Sequence, residues 1–430
     1  MGRKLCISPY LRNFDTYDLQ VDNLNPVILA IPVFFILMAA EFIYDHVKQK
    51  KLYRVNDAVS NISCGIVEQL SGLFAKIFTV AAYHFIFVHF AIFELENTWY
   101  WILLCFIGVD FFYYWAHRLS HEVNLFWLGH VVHHQSEDYN LSVALRQSTF
   151  QKMFTFYFYF PLAFLGFKTE WFVMMGAFNL LYQFWIHTEV IKRLPAWYEY
   201  LFNTPSHHRV HHARDPRYID KNHAGTLMVW DRMFGTFAEE EDKPTYGITT
   251  PLNTFNPIMA NVRPFINLWN EVKRVPGLLN KWKLIWKPPG WYPAELGGFR
   301  PPKEVDKRSY RKYDVVLSTG LNVYLLLHYL IILLITSLFL FNAGGLDLLL
   351  QISISVFIVL SIAFLGIIFD DREKALRLEL SRFSLSLIAG IYLYYIGIVA
   401  LWVPLLTLLI ALTSFFVLRR LTFHQLFAAE

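Results

Sequence analysis

Long apolar runs separated by polar segments form the main pattern of this 430-residue chain. The hydrocarbon core of a bilayer is about 30 Å thick, so a helix needs about 20 apolar residues to cross it. The pattern predicts membrane spans at 26–44, 65–92, 99–116, 150–166, 171–186, 315–341 and 346–369, followed by a longer apolar block at 383–418. Pro404 lies near the middle of that block, which favours a hairpin of two short helices. We therefore predict an all-α, polytopic membrane protein with about nine transmembrane helices.

The basic residues orient these spans, because cytosolic connections are enriched in Lys and Arg. The connections predicted as cytosolic carry Lys48, Lys50, Lys51, Arg54, Arg372, Lys374, Arg377, Arg382, Arg419 and Arg420. The intervening connections 93–98 and 342–347 carry no Lys or Arg. We therefore expect a lumenal amino terminus and a cytosolic carboxyl terminus. The predicted parts are a lumenal tail at 1–25, a membrane core at 26–240, a cytosolic or interfacial segment at 241–313 and a transmembrane bundle at 314–430.

The composition excludes several classes of protein. With 55% hydrophobic and 17% charged residues, the chain is neither an ordinary soluble domain nor a disordered chain nor a coiled coil. A net charge of +4 is small for this length, so no nucleic-acid partner is expected. Cys6, Cys64 and Cys105 lie too far apart in sequence to form a C-x-x-C metal or redox motif. The polar start of the chain predicts that no cleavable signal peptide is present.

Histidine carries the candidate chemistry, and eleven of the sixteen histidines lie between His117 and His223. Nine of them form the groups His117-x3-His121, His130-x2-His133-His134 and His208-x2-His211-His212, with His187 between the last two groups. Residues three and four apart share one face of a helix, so each group can converge on a common point. Neutral imidazole suits Fe, Zn, Cu or Ni, and nine imidazoles exceed the needs of one ion. The spacing predicts a di-metal site, with a closed structural zinc site as the alternative.

Acidic residues near these groups are further candidates. Asp110 lies two helical turns before His117 within an apolar span, and we expect it to accept a hydrogen bond from a ring N–H of His117 or of another ligand. Glu122 and Glu189 could act in the same way or bind a cofactor. The histidine groups follow the cytosolic ends of spans, so the site is expected at the cytosolic headgroup boundary. His207 and His223 are either neighbours of the metal ligands or exposed residues.

The histidine groups resemble the histidine boxes of the membrane fatty acid hydroxylase and sterol desaturase superfamily. Residues 230–237 (WDRMFGTF) resemble the signature that follows those boxes. The stretches 136–148, 179–190 (NLLYQFWIHTEV) and 203–212 (NTPSHHRVHH), together with 219–222 (IDKN), are most similar to the family of ether-lipid-cleaving alkylglycerol monooxygenases. The likeness extends from about residue 26 to residue 291. His223 departs from the pattern, which has an aromatic residue there.

This resemblance implies an oxidoreductase of the endoplasmic reticulum membrane whose cofactors are two iron ions and tetrahydrobiopterin. O₂ and an ether lipid, either an alkylglycerol or a lyso-alkyl phospholipid, would be its substrates, and the nine histidines would be the metal ligands. Asp110 and Glu122 are the candidate catalytic acids. Two alternatives stay open, namely a lipid hydroxylase or desaturase coupled to cytochrome b5 and a zinc-binding membrane transporter. The pterin site and the oligomeric state are not predicted.

Overall fold

The computed structural model describes the backbone of residues 26–427 and the side chains of residues 29–420 apart from 76 and 77. The predicted tail at 1–25, Cys6 and the side chain of His424 therefore lie outside the described residues. The described part contains α-helices and short 3₁₀ turns but no β-strand, which confirms the all-α prediction. The helices are α1 (Pro26–Lys48), α2 (Val55–Phe90), α3 (Trp99–Glu122), α4 (Asn124–His134), α5 (Gln151–Thr155), α6 (Phe160–Phe164), α7 (Thr169–Trp185), α8 (Ala196–Leu201), α9 (Pro205–His211), α10 (Val229–Phe234), α11 (Pro257–Arg274), α12 (Leu278–Trp286), α13 (Thr319–Asn342), α14 (Leu348–Asp370), α15 (Ala375–Tyr395) and α16 (Trp402–Phe427).

Five helices in the described residues are long and apolar enough to cross a membrane, and the bent helix α2 gives a sixth if it counts as one span. The five lie at Leu29–Lys48, Trp99–Glu122, Thr319–Gly345, Leu348–Asp370 and Trp402–Arg420. The segment 150–166 was expected to form one span, but it folds as the short helices α5 and α6 joined by a 3₁₀ turn. Pro161 in the first turn of α6 lacks the N–H that would continue the preceding turn, which explains part of this break. The total of nine spans stays a prediction.

The carboxyl-terminal block forms the expected hairpin, but its turn lies earlier than Pro404. Helix α15 ends at Tyr395 and α16 begins at Trp402, so Pro404 falls in the first turn of α16. Proline is tolerated in the first turn of a helix, because the N–H groups there have no intrahelical acceptor. The proline therefore marks the start of the second helix rather than the bend between the two.

The helices α13 to α16 pack against α2 in one continuous apolar core. Leu70 of α2, Leu325 of α13, Leu365 of α14 and Leu418 of α16 are all buried in it. Lipid tails are as apolar as leucine, so close packing rather than exclusion of water holds these helices together. The carboxyl-terminal helices therefore support α2, which in turn packs against the histidine-bearing part of the chain.

Helices α3 and α7 run in the same direction and bring their carboxyl ends together. Asn179 of α7 donates to Asp110 of α3, and one α3 turn later Tyr113 donates to Gln183 at 2.6 Å. Because the paired residue numbers rise together, the two helices are parallel. His117 and His187 follow these pairs along the chain. They therefore lie at the same height along the common axis of the two helices.

The segment between 241 and 313 presents several large aromatic side chains to the surface. Trp269 of α11 and Trp282 and Trp286 of α12 are exposed. Tryptophan is enriched where one side of a helix contacts lipid headgroups. This exposure is what an interfacial segment would present, and the interfacial assignment stays a prediction.

Candidate metal centre

The nine histidines selected by their spacing form two buried clusters. The five-histidine cluster consists of His117, His121, His130, His134 and His211, and the four-histidine cluster consists of His133, His187, His208 and His212. Within each cluster every residue places one ring nitrogen within 4.8 Å of the corresponding nitrogens of the others. No side chain of the nine is more than 7% exposed. The structure therefore brings together all of the predicted ligands in two groups, each of which could hold a metal ion.

Both H-x2-HH groups divide between the two clusters, which differs from the expectation that each group converges on one point. His130 and His134 lie four residues apart on α4 and share the five-histidine cluster, whereas His133 belongs to the other cluster. The reason is helical geometry, since consecutive residues on a helix are rotated by about 100° and face different directions. His211 and His212 separate between the clusters in the same way.

The four-histidine cluster has a defined arrangement of ring protons. The Nδ1 of His133 lies 3.0 Å from the carbonyl oxygen of Arg146, and the Nδ1 of His187 lies 2.7 Å from that of Gln183. A carbonyl only accepts, so both Nδ1 atoms carry the proton and both Nε2 atoms present lone pairs. These two Nε2 atoms are 3.2 Å apart. Two facing lone pairs repel each other unless a cation lies between them, so this cluster has the donor set of a metal site.

The histidines of the four-histidine cluster are electrically neutral near pH 7. Burial lowers the pKa of His133 to about 4, helped by the charges of His121 and Arg146 and opposed by the hydrogen bond to the Arg146 carbonyl. Burial and the neighbouring imidazoles lower the pKa of His187, His208 and His212 well below the ordinary value. Neutral imidazole is the form that binds metal ions. The surroundings therefore keep these side chains ready for coordination.

A loop at 220–223 sets the ring orientation in the five-histidine cluster. The Nδ1 of His117 donates to the carbonyl of His223 at 2.8 Å, and the Nδ1 of His211 donates to that of Lys221 at 2.9 Å. The Nε2 of His211 is buried and makes no hydrogen bond within the described residues. By the same argument as above, both Nε2 atoms present lone pairs to the cluster.

Left-handed backbone conformations in this loop direct its carbonyls toward the histidines. Asp220 and Asn222 have φ angles of 56° and 55°, a region that Asn and Asp tolerate better than other non-glycine residues. The Asn222 side chain accepts from the Ala238 N–H at 2.8 Å and donates to the carbonyls of His207 at 3.0 Å and Ala238 at 2.8 Å. The amide side chain thus fixes the loop from both sides.

Replacing Asn222 with alanine is expected to weaken metal binding at the five-histidine cluster by about 10- to 100-fold, the usual effect of removing a residue that orients a ligand. The physical reason is that three hydrogen bonds and the favoured left-handed conformation are lost together, so the Lys221 and His223 carbonyls no longer hold their imidazoles. Metal titration of the purified protein measures the change. Asn222→Asp places a carboxylate oxygen against the His207 and Ala238 carbonyls, so we expect it to bind metal no more tightly than the alanine variant. Unchanged affinity in the alanine variant would contradict this role of the loop.

Asp110 does not contact His117, which corrects the expectation from the sequence. Its buried carboxylate accepts hydrogen bonds from the Asn179 side chain, the Thr226 N–H, the Leu227 N–H and the Trp230 ring, at 2.5, 2.7, 3.0 and 2.9 Å respectively. The carboxylate therefore joins α3 to α7 and to the segment that begins α10. It acts on the five-histidine cluster through the backbone that leads to His223.

Residues 230–237 hold the backbone at His223 and Ala224 in place. The Asp231 carboxylate accepts from the N–H groups of His223 and Ala224 at 2.8 and 2.7 Å and from the Thr236 hydroxyl at 2.6 Å. Gly225 lies between these anchors, and a Cβ there would come within 2.8 Å of the Asn179 side chain. The signature that the sequence singled out is thus a clamp on the loop that orients His117 and His211.

Glu122 and Glu189 differ in burial and in their charged partners. Glu122 pairs with Arg118 at 2.8 Å and its side chain is 34% exposed, so the structure shows a surface ion pair rather than a contact with a ligand. Glu189, two residues after His187, is buried beside a cavity and pairs with Lys243 at 2.9 Å.

His207 and His223 are both buried, but only His223 lies beside a cluster. The ring centroid of His223 is 5.1 Å from that of His121 and 5.6 Å from that of His211. Neither of its ring nitrogens makes a hydrogen bond within the described residues, although the Asp220 backbone lies close enough to oppose the lowering of its pKa by burial. His207 instead packs on Phe237.

Sequence reasoning does not single out Arg146, which supports the four-histidine cluster. Besides offering its carbonyl to His133, this buried residue donates from its guanidinium to the Val132 carbonyl at 2.8 Å and to the Gln135 side chain at 2.8 Å. It also donates to Ser60 of α2. Its position within the stretch 136–148, which carries part of the family resemblance, is the signal that could have pointed to it.

Comparison with known proteins agrees with this geometry. The fatty acid hydroxylase family matches residues 102–236, a range that contains all nine clustered histidines. Alkylglycerol monooxygenase of Xenopus tropicalis is 42% identical over 371 residues, covering 84% of this chain and 81% of the relative. The human enzyme of that name is 40% identical over 358 residues, covering 82% and 80%. The chain belongs to the alkylglycerol monooxygenase family.

Two more distant relatives are also similar to the chain. The alkylglycerol monooxygenase of Caenorhabditis elegans is 31% identical over 414 residues, covering 90% of this chain and 80% of the relative. The ornithine lipid hydroxylase OlsE of Rhizobium tropici is 28% identical over 149 residues, which is 32% of this chain. No solved structure matches the chain. Membership of this family identifies the chain as a monooxygenase.

Proposed function

We propose that this protein is a tetrahydrobiopterin- and O₂-dependent monooxygenase that hydroxylates carbon 1 of the alkyl chain of ether lipids. Its substrates would be alkylglycerols and lyso-alkyl phospholipids. Two iron ions would be held by the nine clustered histidines, one in each cluster. The enzyme would lie in the endoplasmic reticulum membrane with its site facing the cytosol.

The observation that carries this proposal is the pair of facing lone pairs on His133 and His187. Their Nε2 atoms are 3.2 Å apart while both Nδ1 atoms are committed to carbonyls. Uncharged nitrogen ligands leave the charge of a bound ferrous ion uncompensated, and imidazole suits iron. Iron bound there would supply the redox chemistry that activates O₂.

An aliphatic C–H bond beside an ether oxygen does not react with acids, bases or nucleophiles at neutral pH, so its oxidation needs activated oxygen. The balanced reaction inserts one oxygen atom into the C–H bond and releases the other as water, with two electrons and two protons from the reduced pterin. The product at carbon 1 is a hemiacetal. It collapses into a fatty aldehyde and a glycerol derivative.

The chain's own residues position the substrate and exclude water. His117 and His121 lie in the last turns of α3, a candidate span, so the five-histidine cluster lies at one end of a membrane-spanning helix. An ether lipid held with its tail beside α3 would place its ether carbon near that end. Because all nine histidines are buried, a reacting carbon would be shielded from bulk water. His223, with two free ring nitrogens, offers a hydrogen bond to a group bound at the five-histidine cluster.

A lipid hydroxylase coupled to cytochrome b5 is the main competing function. The histidine geometry does not distinguish it, because both enzymes use the same metal ligands. A zinc transporter fits less well, since its ligands would lie near the middle of the bilayer rather than at the end of a helix.

Fatty aldehyde release from an alkylglycerol tests the proposed function. The purified protein, loaded anaerobically with ferrous iron, is given the lipid, O₂ and either tetrahydrobiopterin or reduced cytochrome b5. We expect aldehyde with the pterin and at least about 10-fold less with cytochrome b5. Turnover with cytochrome b5 alone would replace the proposal with its competitor, and bound zinc without oxygen consumption would favour the transporter.

A further inference from the structure

A large cavity with many charged residues in its lining lies near the four-histidine cluster, which it reaches through Glu189, two residues after His187. Its volume is about 790 Å³, and its wall comes from segments far apart in sequence, including Glu137, Glu189, Asp215, Tyr246 and Tyr310. None of the lining residues belongs to a candidate membrane span. The cavity therefore faces the aqueous side of the clusters, whereas a lipid would approach from the bilayer.

Two stacked tyrosines connect the cavity with the histidines. The ring of Tyr246, which lines the cavity, stacks on the ring of Tyr139 with centroids 4.8 Å apart and planes at 17°. The Tyr139 ring lies 5.4 Å from that of His212 and 5.9 Å from that of His187, and its hydroxyl donates to the carbonyl of Ile186. An aromatic contact path thus leads from the cavity to the four-histidine cluster.

One polar group on the cavity wall lacks a partner. The hydroxyl of Tyr246 is buried and makes no hydrogen bond of acceptable geometry within the described residues, although Glu189 lies close enough to raise the pKa of this hydroxyl together with burial. Leaving a buried hydroxyl without a partner costs about 1–3 kcal/mol. A bound molecule that reaches this corner would remove that cost.

The charges around the cavity favour a neutral polar ligand. The lining contains five carboxylates and four basic groups, namely Glu137, Glu189, Asp215, Asp242 and Glu304 against Arg217, Lys243, Lys307 and Lys312. Such a balance suits neither a phosphate, which needs an excess of basic groups, nor a strongly acidic protein surface. It suits a small heterocycle with several N–H donors and a flat face.

We propose that this cavity binds the electron donor of the enzyme, a neutral reduced pterin, with Glu189 accepting hydrogen bonds from its N–H donors and Tyr246 offering its hydroxyl and its ring. This inference rests on the proposed function, which requires two electrons from a pterin. The 2-amino-4-oxo edge of a pterin carries two adjacent N–H donors, which match the two oxygens of one carboxylate. Glu189 is 9% exposed and has a single ion-pair partner, the largely exposed Lys243, so its carboxylate can accept further bonds.

Binding of tetrahydrobiopterin measured by anaerobic equilibrium dialysis tests the site without relying on turnover. The iron-loaded full chain is compared with its Glu189→Gln and Tyr246→Phe variants. Removing a charged acceptor is expected to raise the Kd by about 10- to 100-fold, and removing the hydroxyl by about 2- to 10-fold. Iron content should stay unchanged, and the KM for pterin should rise more than kcat falls.

The matched control is Glu239→Gln, because Glu239 is an exposed acid close in sequence to this wall that does not line the cavity. Its Kd should equal that of the unmodified protein. Should Glu189→Gln lose iron, Tyr246→Phe decides the test, since phenylalanine keeps the stack on Tyr139. Tight pterin binding with equal Kd values in all variants would overturn this site but leave the proposed function standing. Absence of pterin binding to the unmodified protein would overturn both.

Discussion

Replacing His133 with alanine is expected to abolish aldehyde release and to prevent iron loading. His133 provides one of the two facing Nε2 lone pairs, and its neighbour His134 belongs to the five-histidine cluster. Removing the imidazole leaves three histidines in the four-histidine cluster and opens a gap beside the second cluster. Activity should fall by at least about 1,000-fold, as for the loss of a group on which the reaction depends. Iron quantitation of the purified protein and the aldehyde assay measure the two effects.

The matched control for this variant is His207→Ala. His207 is also buried and adjoins the third histidine group, but it belongs to neither cluster. Iron content should stay near that of the unmodified protein, with a modest loss of stability. Retained activity in His133→Ala would remove the second histidine group from the active site.

Replacing Asp110 with alanine is expected to destabilise the fold and to lower iron content, although Asp110 touches no histidine. Four donors on Asn179, Thr226, Leu227 and Trp230 would lose their acceptor in the buried interior. Each unsatisfied buried donor costs about 1–3 kcal/mol, so we expect a loss of about 3 kcal/mol or more. Thermal unfolding in detergent and iron quantitation measure the change.

The control for Asp110→Ala is Glu96→Gln, because Glu96 is an exposed acid just before α3. It should leave both unfolding and iron content unchanged. An Asp110→Ala protein with normal stability but no activity would show that the carboxylate takes part in the chemistry rather than in holding the loop.

The sequence identifies the nine histidines that cluster in the structure, because their signal is local. The histidines four residues apart share a cluster, whereas those three apart, such as His130 and His133, divide between the clusters. His187 stands out by its position after a predicted span. How the groups divide between the clusters depends on how α4 and α9 approach each other. Helical rotation alone separates His133 from His134, but which other histidines each of them meets becomes visible only in the folded chain.

The residues that hold the ligands are harder to predict. The acceptors for His117, His133, His187 and His211 are backbone carbonyls, which carry no side-chain signature. Asp110 is conspicuous as an acid in an apolar span, but its partners lie 69 to 120 positions away along the chain. Pro161 accounts for part of the break of the segment 150–166, and the 3₁₀ turn that precedes it has no such local signal.

Adjacent residues that serve opposite clusters have a consequence for assembly of the holoenzyme. His133 and His134 share one peptide unit, as do His211 and His212, so an ion captured on one side orders the backbone that presents ligands to the other. Binding of the first ion therefore lowers the conformational-entropy cost of binding the second. Metallation should accordingly be positively cooperative, with half-loaded chains scarce at every iron concentration.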